Sequence, residues 1–318
     1  YNNWTPENFG GTWLPAGSER VMGATYAIWQ DNIDTRAAGI SETDTFYRFM
    51  DALPYLSVKM WGEGKALDRT YEKVQTDVAT LGTAPGTNPY HLVEKTADSD
   101  SYAKYTFDTT EDRSGNERDL TLHGATLEDG ALNLTGGSSY AETGLTELGK
   151  GNSLAFRVYR DPDAATGEQI LFETDAAYGE STIKAISADK NGAWKLGFAR
   201  ELYEYQFDCN LESGKWIDVV ISTAANKTTL TVNGQSYDAV GSFLPDENAS
   251  SQFKGKTGIT HSTFDLPVAR MGSKTNAFKG KLDNVVLYEN DTAPALTQTI
   301  TFNSNGGTEV SAITVRYG

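Results

Sequence analysis

Two hydrophobic periods divide the chain. Near the start, Ala24 to Trp29 is a short run of almost purely apolar residues, which predicts a parallel strand buried on both faces. Ser41-Glu42-Thr43-Asp44 then resembles a capping box with Asp44 where Glu or Gln is usual, and Phe46, Phe49, Met50, Leu53 and Met60 follow at helical spacing. Pro54 is expected to break or kink that helix. Leu67, Tyr71, Val74, Val78 and Leu81 mark a second helix, with Gly82 as its C-cap. A linker at residues 84–89, Ala-Pro-Gly-Thr-Asn-Pro, ends this first segment.

Beyond the linker the period changes to two. Short apolar or alternating runs occur at Tyr105–Asp108, Leu120–His123, Leu154–Tyr159, Gln169–Glu173, Trp194–Phe198, Tyr203–Phe207, Trp216–Ser222, Thr229–Val232 and Leu282–Tyr288. Asp129-Gly130, Asn191-Gly192 and Asn233-Gly234 are hairpin turn signals between them. Many short strands over this length predict one antiparallel β-sandwich across residues 90–291. A strand-like tail, residues 292–318, follows.

Composition narrows the function classes. Forty-three acids against 27 bases give a formal charge of −16, which argues against nucleic acid and anionic membrane surfaces as partners and fits neutral ligands such as sugars. Cys209 is the only cysteine, so no internal disulfide forms, and with only 3 histidines a multi-ligand transition-metal centre is not expected. No apolar run is long enough to span a membrane, and Tyr1-Asn2-Asn3-Trp4 does not open a signal peptide.

"GATYAIWQDNI" followed by "ISETDTFYRFMDALPYLSVKMWG", Gly23 to Gly62, resembles the end of the catalytic barrel of glycoside hydrolase family 20. That resemblance implies a (β/α)8 barrel whose last strand and helices occupy residues 1–83, acting on β-linked N-acetylhexosaminides by substrate-assisted retaining hydrolysis. It implies that Trp29 packs its ring on a sugar in the −1 subsite and that Asp31 accepts hydrogen bonds from the sugar hydroxyls. Trp29 and Asp31 fall on the same side of the strand. Trp4 would wall the same subsite. The alternatives are a core role for Trp29, a cap for Asp31 and packing for Trp4. Asp at position 31, where most of the family has Glu, is similar to the lacto-N-biosidase branch. The family's adjacent Asp-Glu pair has no counterpart here, since Asp246-Glu247 follows no strand. A whole barrel needs roughly 250 residues. The reading is therefore a hydrolase fragment, inactive alone, whose partner is the rest of its barrel. No catalytic residue is assigned to this chain.

The β segment resembles the concanavalin A-like lectin/glucanase sandwich of laminin G type, on "YTFDTTEDRSGNERDLTLHGA", "SGKWIDVVISTAANKTTLTVNGQ" and "FKGKLDNVVLYEND". Some members bind a structural calcium, which this resemblance would place at Asp108 and Asp283; no other cofactor is implied. No Glu-x-Asp-x-x-Glu run is present, so catalysis by this segment is not expected. Tyr203, Tyr205 and Phe207 alternate on one strand face, as sugar platform or as core, with core preferred. The tail resembles the start of a bacterial surface repeat, implying a secreted or wall-attached protein. Three readings follow: part of a glycosidase, a lectin-like module for oligosaccharide or glycoconjugate glycans, or a spacer.

Overall fold

A computed structural model describes residues 5–9, 11–15, 17–28, 49, 52–61, 69–81, 93, 95–175, 181–188, 192–200, 203–224, 227–243, 257–259, 265–290, 297–300, 311 and 313–316. The chain divides into two compact units, one of Tyr1–Ile33 with Ser41–Leu92, the other of Asp34–Ile40 with Val93–Gly318.

The first unit contains a two-residue hairpin, β1 (Asn8–Phe9) and β2 (Thr12–Trp13), and two helices, α1 (Leu53–Trp61) and α2 (Tyr71–Leu81). Phe49 is helical, Ala52 lies in a turn and α1 begins at Leu53, so the helical run is broken beside Pro54 as expected. Pro54 stands in the first turn of α1, where the missing N–H has no helical partner to lose. Thr70 caps α2, its hydroxyl accepting from the Lys73 N–H at 3.2 Å. Ala24 to Ile28 does not form the expected buried strand: it carries no ladder bonds and is largely exposed, as is Met22 at 97%. The physical reason is that no described strand lies along either edge, and an apolar strand gains burial only from such neighbours. Neither helix is long and apolar enough to cross a membrane.

The second unit is antiparallel β throughout its described residues. Its strands are β3 (Ser101–Tyr105), β4 (Thr121–His123), β5 (Thr126–Glu128), β6 (Ala131–Glu142), β7 (Glu147–Leu148), β8 (Ser153–Arg160), β9 (Gly167–Glu173), β10 (Thr182–Ser187), β11 (Trp194–Arg200), β12 (Tyr203–Phe207), β13 (Trp216–Thr223), β14 (Thr228–Val232), β15 (Gln235–Phe243), β16 (Thr257–Ile259), β17 (Leu266–Pro267), β18 (Arg270–Tyr288), β19 (Thr297–Ile300) and β20 (Ile313–Arg316). Two turn signals act as read. Asp129-Gly130 joins β5 to β6 and Asn233-Gly234 joins β14 to β15, all four residues at positive φ.

The expected fold class, the end of a (β/α)8 barrel plus an antiparallel β-sandwich of the concanavalin A-like jelly-roll kind, is corrected on both counts. The described residues hold two short helices. The strands run β18-β8-β13-β14-β15-β12-β11-β10-β9, and β9 pairs again with β18, closing a nine-strand antiparallel barrel. Strand β18 makes this closure because it is 19 residues long and changes neighbours. Its Gly280–Tyr288 part pairs β8, whereas Arg270, Met271 and Ala277 pair β9, with a bulge between Met271 and Ala277. Gly272 lets β18 approach β6. Its φ is +92°, and a Cβ there would lie 2.2 Å from the Ser139 carbonyl oxygen. Closure leaves no edge on the ring itself.

The barrel encloses one core. Leu154, Phe156 and Val158 of β8 alternate with outward residues, as do Ile217, Val219 and Ile221 of β13. Phe156 meets Phe172 at 5.1 Å, Trp194 meets Phe278 at 5.9 Å, and Phe198 stacks on Tyr205 at 4.5 Å. Tyr205 and Phe207, weighed above as a sugar platform, are therefore core residues, 2% and 0% exposed.

Candidate functional site

The outer face of β18, β8 and β13 carries a group of aromatic and charged side chains outside the core. Period two puts it there: Arg157 and Tyr159 on β8, Trp216 and Asp218 on β13, and Lys281 and Asp283 on β18 all alternate with buried neighbours. Register then sets them in rows. Asp283, Arg157 and Asp218 lie opposite one another across three strands, and Lys281, Tyr159 and Trp216 form the next row.

Arg157 organises the group. Its Nε donates to Asp218 Oδ1 at 2.9 Å, and its Nη1 lies 3.6 Å from Asp283 Oδ2. Its guanidinium lies 5.3 Å from the centroid of the Trp216 ring. Tyr159 leans on Trp216 with centroids 5.7 Å apart and planes at 51°. Both rings remain half-exposed. Held by an ion pair and a neighbouring ring, these aromatics lose little side-chain entropy when a flat apolar ligand surface covers them.

Two carboxyl groups here titrate upward. Burial raises the pKa of Asp218, against the opposing hydrogen bond and charge of Arg157. Burial also raises that of Asp283, against hydrogen bonds from Asn284 and the charge of Arg157, with the nearby Asp108 carboxylate adding to the rise. The Asp108 carboxylate thus acts on Asp283 through its charge. Left-handed residues flank them, Phe107 at φ 58° before Asp108 and Asn284 at φ 47° after Asp283. Calcium takes six to eight oxygens. No group of three or more His, Cys, Asp or Glu side chains converges among the described residues. Asp108 and Asp283 would therefore hold an ion only with backbone carbonyls and water completing its shell.

The sugar-subsite residues expected from the sequence, Trp4, Trp29 and Asp31, lie outside the described residues. Sequence reading missed Arg157, Tyr159, Trp216 and Lys281. The signal was present in strands it had found: Arg157-x-Tyr159 and Trp216-x-Asp218 occupy the polar phase of otherwise apolar alternation.

No family model matches this chain. No curated protein matches it either. Among solved structures it is similar to a mutant of Trypanosoma rangeli sialidase displaying trans-sialidase activity, at 17% identity and a TM-score of 0.39, over 61% of this chain and 31% of that one. It is similar to domain 4 of AbnA, a GH43 extracellular arabinanase from Geobacillus stearothermophilus, solved with arabinotriose. There identity is 19% and the TM-score 0.42, over 62% of this chain and 96% of that one. It is also similar to the binding domain of botulinum neurotoxin serotype D, at 10% identity and a TM-score of 0.39, over 61% of this chain and 48% of that one. The match spans about a third of the sialidase chain. The enzyme class expected from the sequence, a family 20 hydrolase, is corrected: no family model matches, and the described residues hold no strand–helix repeat of a (β/α)8 barrel.

Proposed function

We propose that the barrel is a non-catalytic carbohydrate-binding module of an extracellular protein, with the sugar docking on Tyr159 and Trp216. One observation carries this reading: two half-exposed rings, 5.7 Å apart, are fixed on a sheet face by Arg157 and bordered by carboxylate and ammonium groups. Sugar rings present an apolar C–H face and a rim of hydroxyls. An aromatic ring takes the first by burial, and charged groups take the second by hydrogen bonds stronger than neutral ones. The acid-rich composition agrees with an extracellular, soluble setting. The test is calorimetric titration of the whole chain with soluble oligosaccharides, beside Trp216→Ala and Tyr159→Ala. Binding lost in both variants while they stay folded supports the reading. Binding that both variants keep removes it, and a wild-type chain that binds no glycan leaves a spacer role.

We also propose that Asp108 and Asp283 hold a structural calcium ion. The support is the raised pKa of the half-buried Asp283, to which the Asp108 carboxylate adds and which a divalent cation there would relieve.

A further inference from the structure

Resting on the glycan-platform reading, we propose that this face selects an acidic oligosaccharide, with Lys281 as the group that receives its carboxylate. The aromatic row does not stop at Tyr159. Lys281 of β18 is opposite Tyr159 on one side and opposite Asn133 of β6 on the other. Trp216, Tyr159, Lys281 and Asn133 therefore form one line across four adjacent strands, all on the outer face. At the usual strand spacing that line is about 14 Å long, which suits a short oligosaccharide rather than a single ring.

Lys281 differs from the other lysines of its strand. Lys279 is bound to Asp163 at 2.7 Å, and Lys274 lies 3.7 Å from Asp175 and 4.0 Å from Glu142. Lys281 is half-exposed and has no hydrogen-bond or ion partner among the described residues. The neighbouring acids are committed: Asp283 and Asp218 to Arg157, Asp163 to Lys279, and Glu128, beyond Asn133, to Thr126 and the Asn133 amide. The ammonium group is thus the open charge of the row. It stands one strand from the stacking pair, where the next sugar of a chain lying on Tyr159 and Trp216 falls. The overall charge of −16 does not cancel this preference, because charges more than about 8 Å away are screened at physiological salt.

The full chain would be titrated by calorimetry with two matched trisaccharides, one ending in glucuronate and the other in glucose, at low and at physiological salt. The acidic trisaccharide should bind about tenfold more tightly at low salt, with the advantage shrinking as salt rises. Lys281→Gln should erase that advantage, so that the acidic and the neutral sugar bind equally, and Lys281→Arg should restore it. Unchanged melting temperatures for both variants separate charge from folding. Equal wild-type affinities for the two sugars, or an acidic preference that survives Lys281→Gln, would overturn this proposal alone. If neither trisaccharide binds, the glycan platform and this proposal fall together.

Discussion

Arg270 and Glu173 meet at 3.0 Å, both buried, directly opposite each other where β18 pairs with β9. They stand at the seam that turns the sheet into a barrel. Arg270 also reaches Asp175, donates to the Thr174 carbonyl at 3.2 Å, and lies 5.7 Å from the centroid of the Tyr140 ring, on which His123 stacks at 4.6 Å. Burial works against the Arg270 charge, but the hydrogen bonds and charges of Asp175 and Glu173 outweigh it and hold its pKa above the ordinary value. A buried ion pair broken on one side leaves an uncompensated charge. Asp175 still faces Arg270 in Glu173→Gln, so the loss should fall short of a fully orphaned charge, at about 1.5–3 kcal/mol. Urea denaturation of the variant checks this, and a loss below about 1 kcal/mol, the worth of an exposed pair, would show that the seam is held by its backbone ladder instead.

On the opposite row, Trp216→Ala should remove glycan binding with only about 1–2 kcal/mol of lost stability, because the ring is half-exposed and truncation opens no core cavity. Tyr159→Ala should act in the same direction. Parallel melting curves and titrations separate the two effects.

Asp283 sets a pH dependence whose sign follows from its raised pKa. The folded state holds its proton more tightly than the unfolded chain, where the ordinary value is 3.8. The stabilisation this provides is complete below that value and is lost as pH rises through the higher folded-state value. At neutral pH the charged carboxylate is thus a net cost to the fold. Asp283→Asn should be more stable than the wild type at pH 7 in the absence of divalent cations, and the gap should close as the pH falls toward 4. A stability difference that does not change between those pH values would contradict the assignment.

Calcium should reverse that order. Adding calcium chloride should raise the melting temperature of the wild type and leave Asp108→Asn and Asp283→Asn unmoved, because a ligand bound only by the native state stabilises it by mass action. Equal shifts in all three proteins, or none in the wild type, would remove the proposed ion.

The sequence by itself determined the β character of the second unit and much of its element inventory. Leu154–Tyr159, Gln169–Glu173, Trp194–Phe198, Tyr203–Phe207, Trp216–Ser222 and Thr229–Val232 all lie within strands, because alternation and turn residues are local properties. Asp129-Gly130 and Asn233-Gly234 fixed two hairpins for the same reason. Closure was not legible. It depends on β18 leaving β8 for β9 at a bulge, and on Gly272 admitting the Ser139 carbonyl, contacts between residues far apart in the chain. The candidate site divides the same way. The outward phase of Arg157, Tyr159, Trp216 and Asp218 was written in the strands, but their assembly with Lys281 and Asp283 is a matter of register, which only the tertiary structure decided. The apolar run at Ala24 shows the converse: a local pattern predicts a strand, yet a strand exists only where another supplies its hydrogen bonds.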